Sequence, residues 1–203
     1  MNHDRLEQGL KFHQEGKIDE AEAVYREVLS SDTNNADANH FLGLIFQQRG
    51  NLNQAIEYIK QAIKLDYNRS TFHYNLGGVF TEIGKLHEAA EHYEKASKLK
   101  PDWSDAFANL GTVLGQLKSY EEAERALLKA EELNPNDSGT LVNLTAVLVR
   151  QGRSKEAEDI GRRAVLLAPD SSEAWTNLGN ALNDQLKWEQ LIELKYHRFS
   201  FRK

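Results

Sequence analysis

The tripeptide Asn75-Leu76-Gly77 returns as Asn109-Leu110-Gly111 and Asn177-Leu178-Gly179, with Asn143-Leu144-Thr145 between them, so every step is 34 residues. Three further columns keep the same interval. One is Gly43, Gly77, Gly111 and Gly179, with Gly9 ahead of them. Another is Ala21, Ala55, Ala89, Ala123 and Ala157. The third is Pro101, Pro135 and Pro169, which are the three prolines of the chain. A fixed period over most of 203 residues means that one supersecondary unit is copied and stacked, which excludes most single-core folds.

Each column has a physical job. Asn34, Asn68, Asp102, Asn136 and Asp170 directly precede helical patterns and are expected to serve as N-caps through their side-chain oxygens. Proline one residue earlier in three of the units ends the preceding helix, because it has no N–H and clashes with the turn behind it. Glycine and alanine inside helical patterns let a neighbouring helix come close, and the glycine costs about 1 kcal/mol against alanine. Between caps lie two amphipathic segments. In the third unit the first reads Phe72, Leu76, Val79, Phe80, Ile83, and the second Leu86, Ala89, Ala90, Tyr93, Ala96, Leu99. Spacings of three and four give helices rather than strands. Gly84 supplies the turn, as do Gly16, Gly50 and Gly152; the fourth unit has Lys118 at that place.

The order Leu76-Gly77, Phe80, Gly84, Ala89, Tyr93, Ala96, Pro101 resembles the tetratricopeptide repeat. The resemblance covers nearly the whole chain. It implies an all-α fold, a right-handed superhelical solenoid of antiparallel helix pairs with first helices on the concave face. The units are 2–35, 36–69, 70–103, 104–137, 138–171 and a degenerate sixth, 172–203, in a single domain spanning 1–203. Three departures stand out. Arg5 and Gln8 give the first unit a polar, cap-like face. In the fifth, Thr145 replaces the glycine and Gly161 the aromatic, which is expected to loosen helix packing. The sixth puts Leu191 where a small residue belongs, and a helix to about Tyr196 is expected before an irregular tail from about 197.

Composition narrows the function. With 25 Lys+Arg against 31 Asp+Glu, the net charge of -6 gives no basic footprint for nucleic acid. The chain has no cysteine, so disulfides, thiolate metal sites and a cysteine nucleophile are out. No apolar run of about 18 residues is present, so membrane insertion is not expected, and a cytoplasmic address is the default. Histidines His87 and His92 are five residues apart, and the zincin spacing is four, so no metal site is expected. No spacing marks a catalytic constellation, and neither an enzyme activity nor a cofactor is expected.

The expected site is a peptide groove. The asparagines Asn75, Asn109, Asn143 and Asn177 resemble the asparagine ladder in the repeat arm of O-linked N-acetylglucosamine transferases. A primary amide both donates and accepts, so it can hold one peptide unit of an extended chain whatever its sequence. His40, Tyr74, Thr112, Asn180 and Asn183 are the neighbours expected to add selectivity. The first two units break the column with Glu7 and Phe41. The groove positions carry none of the Lys and Arg of the chaperone-tail clamp; Arg150 is the one strong cation expected nearby.

Two functions are compatible with this. One is a non-catalytic scaffold that binds an extended protein segment. The alternative is the N-terminal recruiting arm of a larger glycosyltransferase, methyltransferase or sulfotransferase, since Gly9, Phe12, Gly16, Ala21-Glu22-Ala23, Tyr25 and His40-Phe41-Leu42-Gly43 look like the start of such bacterial enzymes. Homo-oligomer formation through end faces or the aromatic tail is a further expectation.

Overall fold

The computed structural model describes residues 2–183, and all regular structure among them is α-helical. The helices are α1 (Asn2–Gln14), α2 (Ile18–Ser31), α3 (Ala36–Gln48), α4 (Leu52–Leu65), α5 (Ser70–Glu82) and α6 (Leu86–Leu99). They continue as α7 (Ser104–Gln116), α8 (Tyr120–Leu133), α9 (Ser138–Arg150), α10 (Ser154–Leu167) and α11 (Ser172–Asn183). The fold is the all-α helical repeat that the periodicity predicts. It divides into two compact units, residues 1–101 and 102–203. The expected helix to Tyr196, the Leu191 position and the tail from 197 lie outside the described residues.

Within each of the first five repeats a three-residue turn reverses the chain. Gly16, Gly50, Gly84 and Gly152 hold φ between +74° and +76° there, a region that costs other L-residues. In the first turn Lys17 N–H donates to Phe12 O at 2.8 Å and Gly16 N–H to His13 O at 3.1 Å. That pair of bonds satisfies two carbonyls left over at the end of α1. The fourth repeat keeps the geometry without the glycine: Lys118 has φ +63°.

Capping departs from the expectation by one residue. The residues in cap position are Asn35, Arg69, Trp103 and Asp137, not Asn34, Asn68, Asp102 and Asn136. Asn35 accepts from Ala38 N–H at 3.0 Å and Asp137 from Thr140 N–H at 2.8 Å. Ser171, not Asp170, accepts from Ala174 N–H at 3.2 Å. The predicted column sits in the turn instead. Asn34 and Asn68 give their own N–H groups to Asp32 and Asp66 carboxylates two residues back. Short polar residues suit such turns as well as they suit caps, so composition alone does not separate the two.

The small-residue columns are where helices touch. A Cβ at Gly43 would stand 2.4 Å from Ile59 Cγ1, and one at Gly111 would stand 2.5 Å from Leu127 Cγ. The fifth repeat answers its Thr145 with Gly161. A Cβ there would lie 3.1 Å from Thr145 Cγ2, and Thr145 itself is fully buried. The bulk has moved from one helix to its partner, so the two departures face each other. The core of residues 1–101 is built on Tyr25, Leu42, Ile59, Phe72 and Leu76, all essentially inaccessible. That of 102–203 is built on Leu127, Leu141, Leu144, Leu178 and Leu182. Each such side chain is worth roughly 1.5–3 kcal/mol of burial.

Candidate functional site

Positions i, i+3 and i+7 of a helix lie within about 60° of one another around the axis at 3.6 residues per turn. On α7 they are Asn109, Thr112 and Gln116; on α9, Asn143, Ala146 and Arg150; on α11, Asn177 and Asn180. Two cavities open along these faces. The first, about 620 Å³, is lined by Thr112, Gln116, Lys118, Asn143, Arg150 and Glu173 among others. The second, about 320 Å³, is lined by Ala146, Val149, Arg150, Asn177, Asn180 and Asn183. Ala146 and Arg150 belong to both.

The asparagine amides are tied to the neighbouring first helix. Asn143 Nδ2 donates to Thr112 Oγ1 at 2.9 Å, and that hydroxyl donates onward to Ala108 O at 2.8 Å. Asn177 Nδ2 donates to Val142 O at 3.1 Å. An amide has two N–H donors and a carbonyl, so one such bond fixes its plane and leaves capacity for a peptide unit. Both side chains are half-buried, as is Asn109 on α7. Asn180 and Asn183 are exposed at the rim of the second cavity.

The same column looks different in residues 1–101. Asn75 Nδ2 stands 2.7 Å from His40 Nε2. The amide nitrogen can only donate, so His40 carries its proton on Nδ1. His40 is 5% exposed, with Phe72 against it at 4.5 Å between ring centroids. Burial, and then the nearby Arg69 charge, push its pKa down to about 4. His40 thus reaches the surface through Asn75 rather than by its own ring. Tyr74 is half-buried and packs edge-on to Tyr93 at 5.6 Å. Phe41, where the column is broken, stacks on Tyr25 at 5.1 Å.

His73 and His92 are engaged in contacts within the scaffold. His73 Nε2 lies 3.0 Å from Tyr67 O, which can only accept, so Nε2–H donates there and His73 Nδ1 accepts a hydrogen bond from His92 Nδ1–H at 3.1 Å. His92 is thus engaged with His73 and stacked on Phe80. Its pKa falls to about 4, through burial first and then the His73 and Lys60 charges. Among the described residues no group of three or more His, Asp or Glu comes together in a way that could hold a metal. No described helix is long and apolar enough to cross a membrane.

Charge at the cavities is sparse. Arg153 pairs with Glu124 and Glu156, Arg162 with Glu158, and Arg163 with Glu131. Arg150, two turns beyond Asn143, has no ion pair or hydrogen bond among the described residues. Sequence reasoning placed Arg150 near the groove but overlooked Gln116, Lys118 and Glu173. The i+7 continuation from Asn109 would have found Gln116. Lys118 needs the left-handed turn to be known first.

The chain matches the family model described as the cilia and flagella-associated protein 70 C-terminal domain over residues 29–190. It matches a tetratricopeptide repeat model over residues 9–35. Among solved structures it is similar to YrrB, described as a tetratricopeptide protein with an unusual peptide-binding site. The TM-score is 0.75 and the identity 24%, over 83% of this chain and 87% of that one. It is similar to MamA with TM-score 0.74 and 25% identity, over 82% and 91% of the two chains. A tetratricopeptide repeat protein from Parabacteroides merdae gives TM-score 0.77 and 18% identity, over 100% and 80%. No curated protein matches the chain.

Proposed function

The chain belongs to the tetratricopeptide-repeat proteins, in the family of the cilia and flagella-associated protein 70 C-terminal domain, and on that premise we propose that it is a non-catalytic interaction scaffold holding an extended peptide of a partner protein along α7, α9 and α11. The observation that carries this reading is the pair of open cavities into which Asn143 and Asn177 turn, each with its amide already anchored on the adjacent helix. Anchoring lowers the cost of presenting the remaining N–H and C=O to a ligand, because less rotamer freedom is lost on binding. YrrB, similar in fold, is described as having a peptide-binding site. Asn109 and Thr112 extend the same face on α7, and Thr112 also orients Asn143. Asn75, Tyr74 and His40 form a separate polar patch in residues 1–101, where His40 positions Asn75.

Backbone holding by amides is weak per bond, about 0.5–1.5 kcal/mol net. Association costs an estimated 4–15 kcal/mol, so the rim side chains and the cavity walls must contribute as well. The test uses peptides selected from a random library on the wild-type protein. The double variant N143A/N177A is expected to bind a selected peptide roughly tenfold more weakly, the loss of about 1.4 kcal/mol. Thermal unfolding of the variant separates a binding effect from lost inter-helix bonds. Unchanged affinity in a folded variant removes the asparagines from the site.

A further inference from the structure

We propose that the 320 Å³ cavity takes the carboxylate of an Asp or Glu side chain within the bound peptide, with Arg150 as the residue that selects it. The inference rests on the peptide-groove reading and adds the chemistry of the ligand to it. Among the described residues lining this cavity Arg150 alone is charged; the polar remainder is Asn177, Asn180 and Asn183. A guanidinium offers five N–H donors and each amide two, whereas a carboxylate offers only acceptor sites, about four of them. The cavity is therefore rich in what a carboxylate lacks.

Among the described residues the arginine is also uncommitted. Three other arginines of residues 102–203 are spent on glutamates: Arg153 on Glu124 and Glu156, Arg162 on Glu158, Arg163 on Glu131. Arg125 forms no ion pair among the described residues either, but it stands on α8 and lines neither cavity. Arg150 is exposed on the face that carries Asn143 and Ala146, within reach of both cavities. In the larger cavity Glu173 offsets Lys118 and competes for Arg150, whereas the smaller one presents Arg150 with no acid in its lining, so the carboxylate is assigned to the smaller one. A single guanidinium matches a singly charged carboxylate in planar, two-bond geometry, which Lys cannot reproduce.

The experiment is selection from a phage-displayed library of random dodecapeptides fused at their C-termini, so that only side-chain carboxylates are offered. Wild type and Arg150→Gln are panned in parallel. Wild type is expected to enrich an Asp or Glu at one position, and R150Q to lose that preference while keeping the others. A selected peptide resynthesised with its Glu changed to Gln should bind wild type at least tenfold more weakly and bind R150Q no differently from the parent. R150K, which keeps the charge and loses the fork, should fall between. Acid-free selected peptides on wild type, or an equal Glu/Gln discrimination by R150Q, overturn the proposal and leave the groove reading standing. Enrichment of nothing by either protein overturns both.

Discussion

Tyr25 shows how far a single residue can depart from its surroundings. It is fully buried, and its hydroxyl has no hydrogen-bond partner among the described residues. Burial pushes its pKa up to about 12. An unsatisfied buried hydroxyl costs roughly 1–3 kcal/mol, so Tyr25→Phe is expected to raise stability by about 1 kcal/mol in chemical denaturation. A drop in stability would mean that the hydroxyl has a partner after all. Lys118 is the opposite case, a strained backbone. At φ +63° a side chain costs about 1–2 kcal/mol, and the other turns use glycine. Lys118→Gly should therefore stabilise the fold by about 1 kcal/mol, read as a raised denaturation midpoint. The departure at Lys118 is visible in the sequence as a broken glycine column, but its strain is not, because a turn could also have changed type.

At the scale of helices, the columns of small residues were legible because packing demands them. Gly111→Ala would place a Cβ 2.5 Å from Leu127 Cγ and 3.1 Å from Ala123 O, and the backbone oxygen cannot rotate away. A loss of about 1–3 kcal/mol is expected, measured by thermal or denaturant unfolding. The caps were misplaced by one residue, since Asn and Asp serve a turn and a helix start equally well. Thr145 and Gly161 are a second case. Two departures in facing helices compensate, and a sequence does not say which residues face each other. Between α3 and α5, the burial of His40 beside Asn75 makes stability depend on pH, because it disfavours the charged imidazole. His40 is neutral in the fold down to about pH 4, while an unfolded imidazole takes up its proton near 6.5. As pH falls through that window the unfolded chain binds the proton first, so stability is lost between about 6.5 and 4 and is level above it. The His40 share of that loss is on the order of 3 kcal/mol. His40→Gln should flatten the profile; an unchanged slope would assign the loss to other groups.

Across the whole molecule, repetition carried most of what could be read. The 34-residue period dictates the fold class, and the asparagine column marks the face on which the proposed site lies. What the period could not show is how the column is used. In residues 1–101 Asn75 meets a buried histidine and Phe41 fills the next position with an aromatic stack. In residues 102–203 Asn143 and Asn177 edge open cavities. The same residue type at the same register therefore meets a buried ring in one compact unit and lines open cavities in the other. The difference comes from non-repeating neighbours such as His40, Thr112 and Arg150, which no column predicts. The central claim is that the asparagines hold a peptide by its backbone, and an N-methyl scan of a selected peptide tests it most directly. Methylating the amide held by Asn143 or Asn177 should weaken binding to wild type about tenfold and leave binding to N143A/N177A unchanged, while alanine at the same position is tolerated. A flat N-methyl scan, with affinity following the side chains alone, would contradict the account.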